Sequence, residues 1–237
     1  MGIYSMLAFF QKGGMFMYPI LFVFAIGTAI SVERWFQLSR VRSANHKIWR
    51  VLQPVLVKGE FEKAREIVNK DKSSVAQMLG MGLARQGAVK RREDIEIAME
   101  ESMMEIIPQL EKRTPYVALL SNIATLLGLL GTIMGLIQAF TAVANANPAE
   151  KADLLSASIS VAMNTTAFGL MSAIPLLLLH AKLTSTTGHI VDSLEMASVK
   201  ALNSFSSFAK RQFEAKSEFA DGNQPVSIQE PPLEAAS

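Results

Sequence analysis

Two stretches, Val117–Ala142 and Leu154–Leu179, each run 26 residues without a charged side chain, yet both carry Gly, Ser and Thr at helical spacing. In a bilayer every backbone polar group must be satisfied within the segment, so an apolar run of this length has one fold open to it, a spanning helix. Each run rises about 39 Å as a helix against roughly 30 Å of hydrocarbon, so tilting or protrusion into water is expected. The small residues imply helices that touch each other and not only lipid, which places function between them.

A third apolar run, Gly13–Val32, lies between Lys12 and Glu33-Arg34-Trp35. A cleaved signal peptide competes for this segment. Its apolar part is too long, its leading charge is Lys12 alone, and no small-residue cleavage site precedes the charges, so a retained anchor is expected. Charge placement orients the spans: Glu33–Tyr116 holds sixteen Lys or Arg, whereas Val143–Asp153 holds Lys151 alone. By the positive-inside rule the large segment is cytoplasmic, the N-terminus outside and the C-terminus inside.

The expected organisation is an all-α membrane protein with three transmembrane helices and long helices extending into a helical cytoplasmic domain. The boundaries read as a short outer amphipathic segment at 1–12, spans at 13–35, 117–143 and 154–180, cytoplasmic helices at 36–116 and 181–219, an outer loop at 144–153 and a disordered tail at 220–237. Within the cytoplasmic segment, Gly punctuation separates helices at Leu38–Lys58, Glu60–Asn69 and Ser73–Gln86, followed by a long one from Arg92. Ile95, Met99, Met103, Ile106 and Leu110 form an apolar stripe whose pattern runs on into Val117, predicting one long helix kinked at Pro108 and Pro115. Ile190, Leu194, Ala197, Ala201, Phe205 and Phe208 repeat the design after the third span, so the two helices are expected to pack together. Of the basic side chains, Lys90-Arg91-Arg92 is expected to be solvated, and Arg34, Arg40 and Arg42, just beyond a span, to contact anionic lipid.

The chain has no cysteine and three scattered histidines, His46, His180 and His189, none with a partner at metal-ligand spacing. Phosphate loops and nucleophile–base motifs are absent as well. Neither an enzyme nor a resident metal or cofactor is expected, and a net charge of +2 gives no footprint for nucleic acid.

At about 100° per residue, Ser121, Thr125, Gly128, Gly131, Thr132, Gly135, Ala139 and Ala142 share one stripe of the second span. Ser158, Ala162, Thr165, Thr166, Gly169, Ser172 and Ala173 make a comparable stripe on the third, with Thr165 and Thr166 at its two flanks. Ordinary helix packing, with threonines bonded to their own i−4 carbonyls, explains each alone. Two such stripes on neighbouring spans also fit a polar path, with Asn164 about 120° off the stripe centre and Pro175 freeing the Met171 carbonyl. No Asp, Glu, Lys, Arg or His lies within any of the three runs. Proton relays through membranes are built around ionisable side chains, so a path here needs a carboxylate from another subunit or an ion that hydroxyl and carbonyl oxygens can ligate.

Gly128-Leu129-Leu130-Gly131-Thr132-Ile133-Met134-Gly135, Thr166-Ala167-Phe168-Gly169-Leu170 and Ala173-Ile174-Pro175 resemble the MotA/TolQ/ExbB family of bacterial inner-membrane motor subunits. With the Glu33-Arg34 exit and the large insert, the resemblance covers about residues 13–215, and three spans are similar to the ExbB and TolQ branch. It implies a homo-oligomer of five subunits around a single-span ExbD/TolR-like partner that carries a membrane Asp, with Thr132 and Thr166 matching the threonines that face it. It further implies a periplasmic N-terminus, a cytoplasmic C-terminus, and transport of protons that energises a TonB-like or TolA-like protein. ExbB-type chains often have Glu five residues before the third-span threonine, where this chain has Val161. With Asn164, Thr165 and Thr166 nearby, sodium is the alternative ion. A gliding or secretion motor and a non-conducting membrane scaffold are the alternative functions.

Overall fold

The computed structural model describes residues 14–86, 91–144 and 146–221, the last eleven by backbone alone. The segment Ile3–Gln11, Lys90 and the tail beyond 221 lie outside the described residues. Among the described residues six helices follow in order: α1 (Met17–Lys58), α2 (Phe61–Lys70), α3 (Ser74–Arg85), α4 (Arg92–Glu111), α5 (Thr114–Ala144) and α6 (Lys151–Asp221). Among the described residues three helical stretches, in α1, in α4–α5 and in α6, are long and apolar enough to cross a membrane. The protein is an all-α membrane protein with three spanning helices.

The helix ends have local causes. α1 continues through Glu33-Arg34-Trp35 without a break and stops at Gly59, whose φ of 77° is open to a residue without Cβ. There Gly59 N–H donates to Leu56 O at 3.1 Å and Glu60 N–H to Val55 O at 3.2 Å, the paired bonds of a Schellman end. Ser73 caps α3 by accepting from Ala76 N–H at 3.3 Å. Arg65 on α2 closes the other end of α3, donating to Leu83 O at 2.9 and 3.0 Å and to Gln86 O at 2.6 Å.

The stripe expected to run unbroken from α4 into the second span is interrupted. α4 ends at Glu111, Arg113 turns left-handed at φ 68°, and α5 starts at Thr114. Pro115 causes this: without an N–H it cannot continue the α4 ladder, but its fixed φ suits the first turn of a new helix. Pro54, Pro108 and Pro175 are accommodated inside α1, α4 and α6.

The chain divides into two compact units, residues 1–47 with 101–195 and residues 48–100 with 196–237. In the first, Ile20, Ala124 and Ala173 from the three spans are buried together, with Val23, Leu127 and Phe168 packed on them. Phe22, Leu126, Phe140 and Leu178 point outward and are 63–68% exposed, as lipid-facing residues are. The second unit has its own core, in which Leu52, Ala64, Met78, Leu79, Leu83 and Met99 are fully buried. Phe61 meets Phe205 and Phe208 edge-on, with ring centroids 5.3 and 5.0 Å apart, and Arg92 donates to Asn203 at 3.2 Å.

Candidate functional site

The two small-residue stripes face each other. A Cβ on Gly169 would lie 2.9 Å from both Ala124 O and Gly128 Cα, and one on Gly128 would lie 3.2 Å from Gly169 Cα. The α5 and α6 backbones therefore touch at Gly128 and Gly169. Gly135 extends the contact, its missing Cβ falling 2.7 Å from the Ala162 methyl. Gly131 abuts Thr165 and Phe16, both of which a Cβ there would meet.

This closeness lets hydroxyls reach across. Ser121 donates to Ala173 O at 2.8 Å, and Thr166 donates to Gly128 O at 2.9 Å. Thr132 also addresses Gly128 O, at 3.2 Å from its own helix, and its Oγ1 meets Thr166 Oγ1 in a direct hydroxyl–hydroxyl contact. Two threonine hydroxyls and one carbonyl thus converge between the spans, both threonines half-buried.

The other threonines of the two apolar runs each bond to their own helix. Thr125 donates to Ser121 O at 3.2 Å, Thr141 to Ile137 O at 2.9 Å and Thr165 to Val161 O at 3.0 Å, all i−4. Thr165 is 2% exposed and packs on Gly131. Asn164 is half-buried, and Pro175 is exposed. The α6 carbonyl addressed from α5 in this stretch is that of Ala173.

Arg34 departs from the lipid contact expected of it. It is 2% exposed; its Nη2 donates to Leu110 O and its Nη1 to Gln37 Oε1 at 2.6 Å. Leu110 lies in the last turn of α4, whose carbonyls have no intrahelical donor, so Arg34 caps that helix. Glu33 beside it accepts from Arg113 Nη1 at 2.5 Å. The register held the signal: Ile20, Gly27, Ser31, Arg34 and Leu38 recur at steps of seven, four, three and four, and all are buried.

A model of the MotA/TolQ/ExbB proton channel family matches residues 70–196, which include the whole Thr132–Thr166 site. The chain belongs to this family. Among relatives, a Synechocystis protein named biopolymer transport protein ExbB-like 1 is 29% identical over 189 residues, 77% of this chain and 72% of its own. A biopolymer transport ExbB homolog of Methanothermobacter thermautotrophicus is 25% identical over 194 residues, covering 81% and 67%. The Tol-Pal system protein TolQ of Haemophilus influenzae is 30% identical over 115 residues, 48% of each chain.

Proposed function

We propose that this chain is the ion-conducting, non-enzymatic subunit of a bacterial inner-membrane motor that energises biopolymer transport or Tol-type envelope machinery. Five copies surround an ExbD/TolR-like single-span partner, whose membrane Asp supplies the titrating group absent from these spans. The N-terminus is periplasmic and the C-terminus cytoplasmic. The observation that carries the reading is Thr166: its hydroxyl bonds across to Gly128 O and meets Thr132 between the two spans. The names of the Synechocystis and Haemophilus relatives support the process assigned.

Protons are the ion assigned here. Thr165 bonds to Val161 O and packs on Gly131, so the neutral oxygens gathered at one place are those of Thr132, Thr166 and Gly128. The test is ion flux into liposomes holding the chain with its partner, under proton and sodium gradients applied separately. Partner-dependent flux driven by the proton gradient, unchanged when potassium replaces sodium at fixed pH, is the expected result. Flux that follows sodium would reassign the ion. No flux from an assembled complex freed of the partner's plug segment would leave a scaffold.

A further inference from the structure

A polar cavity of about 300 Å³ opens between α1 and α6 where both helices leave their apolar stretches. On α1 it is lined by Trp35, Ser39 and Arg42, and on α6 by Lys182, Ser185 and His189. Each set repeats at three- or four-residue steps and so forms one helix face. Leu38 and Leu183, each 1% exposed, floor it, and both helix segments belong to the same compact unit.

Three features define what the cavity would hold. Arg42 and Lys182 are basic side chains, and among the described residues neither is in an ion pair; Asp192 lies 3.8 Å from His189. Ser39 and Ser185 add hydroxyls that are also without an intramolecular partner among the described residues. Two basic groups and two hydroxyls match a phosphate diester with its oxygens spread in a shallow fork. The third feature is depth. Trp35 follows the first charges after the α1 span, and Lys182 is the first Lys, Arg, Asp or Glu after the α6 run. Tryptophan marks the headgroup level, and long basic side chains reach back to it.

We infer that this cavity is a binding site for the phosphate of an anionic phospholipid, seating one headgroup against α1 and α6. The expected occupant carries its negative charge uncompensated, as phosphatidylglycerol does, because among the described residues no acidic side chain lines the cavity to pair with a choline or ethanolamine. The inference is independent of the ion carried and of the process energised.

The test uses the full chain in detergent micelles, with retention of phosphatidylglycerol and of phosphatidylcholine followed by native mass spectrometry. Arg42→Gln with Lys182→Gln should weaken phosphatidylglycerol retention about 30-fold. Lys47→Gln with Arg50→Gln removes the same charge from exposed positions that do not line the cavity, and should leave retention within about twofold. Ser185→Trp keeps both cations but fills the cavity, and should also release the lipid. Equal loss in the cavity and control pairs would replace the site with general surface attraction, and full retention in Ser185→Trp would do the same. Displacement of lipid by glycerol 3-phosphate at matched concentration would assign the cavity to a soluble phosphate and overturn the lipid source.

Discussion

Replacing Gly169 by Ala tests whether the α5–α6 contact is as close as the site requires. The new Cβ would stand 2.9 Å from Ala124 O and Gly128 Cα and 3.3 Å from Gly128 N. All three are backbone atoms and cannot rotate aside. Carbon contacts are comfortable at about 3.5 Å, so the helices must part locally by roughly 0.6 Å. Such a separation carries the 2.9 Å bond from Thr166 to Gly128 O to the edge of hydrogen-bonding distance. Overpacking of this kind costs about 1–3 kcal/mol, and a weakened interhelical bond adds about 0.6 kcal/mol. Gly188 on the same helix supplies the control, since a Cβ there meets nothing within 4 Å. Alanine at that exposed position should stabilise by about 0.5–1 kcal/mol through the unfolded chain. Unfolding of each variant by sodium dodecyl sulfate in mixed micelles, followed by circular dichroism, measures the difference. Opposite shifts are expected; equal shifts in the same direction would refute the backbone-to-backbone contact.

Two further substitutions probe the helix ends. Arg34→Met keeps the stem but strips Leu110 O of its donor, and should cost about 1–3 kcal/mol in the same unfolding assay, with Arg34→Lys recovering little because one ammonium cannot serve Leu110 O and Gln37 in the same fork. Gly59→Ala meets a φ of 77° and the Phe208 ring at once, and should cost more than 1 kcal/mol with faster proteolysis between α1 and α2; an unchanged unfolding midpoint would contradict the Schellman end.

Much of this architecture was legible because membranes make the code simple. Uncharged runs of 26 residues announce spans, and small residues at helical spacing announce the faces along which spans meet. Gly128, Gly131, Gly135 and Gly169 accordingly all lie in helix contacts. What periodicity does not carry is which partner a hydroxyl chooses. Thr165 and Thr166 sit at the two flanks of one stripe, and only the structure distinguishes the threonine that bonds to Val161 O from the one that bonds across to Gly128 O. Arg34 departs from the expected lipid contact for a related reason. A charge just beyond a span is ordinarily solvated or lipid-bound, but this one falls on the buried face of α1 and finds a helix end lacking a donor. The break at Arg113 was hidden by an apolar stripe that continues in phase across it, although Pro115 already carried the chemical reason.

The central claim is that Thr166, joined to Thr132 and Gly128 O across the α5–α6 contact, serves the ion path while Thr165 serves packing. The measurement that tests it most directly is proton flux through liposomes containing the complex with Thr166→Val set beside the same complex with Thr165→Val. Both changes preserve volume and remove one hydroxyl. The account predicts flux lost in the Thr166 variant and retained within about twofold in the Thr165 variant. Loss confined to the Thr165 variant, or equal flux in both, would contradict it.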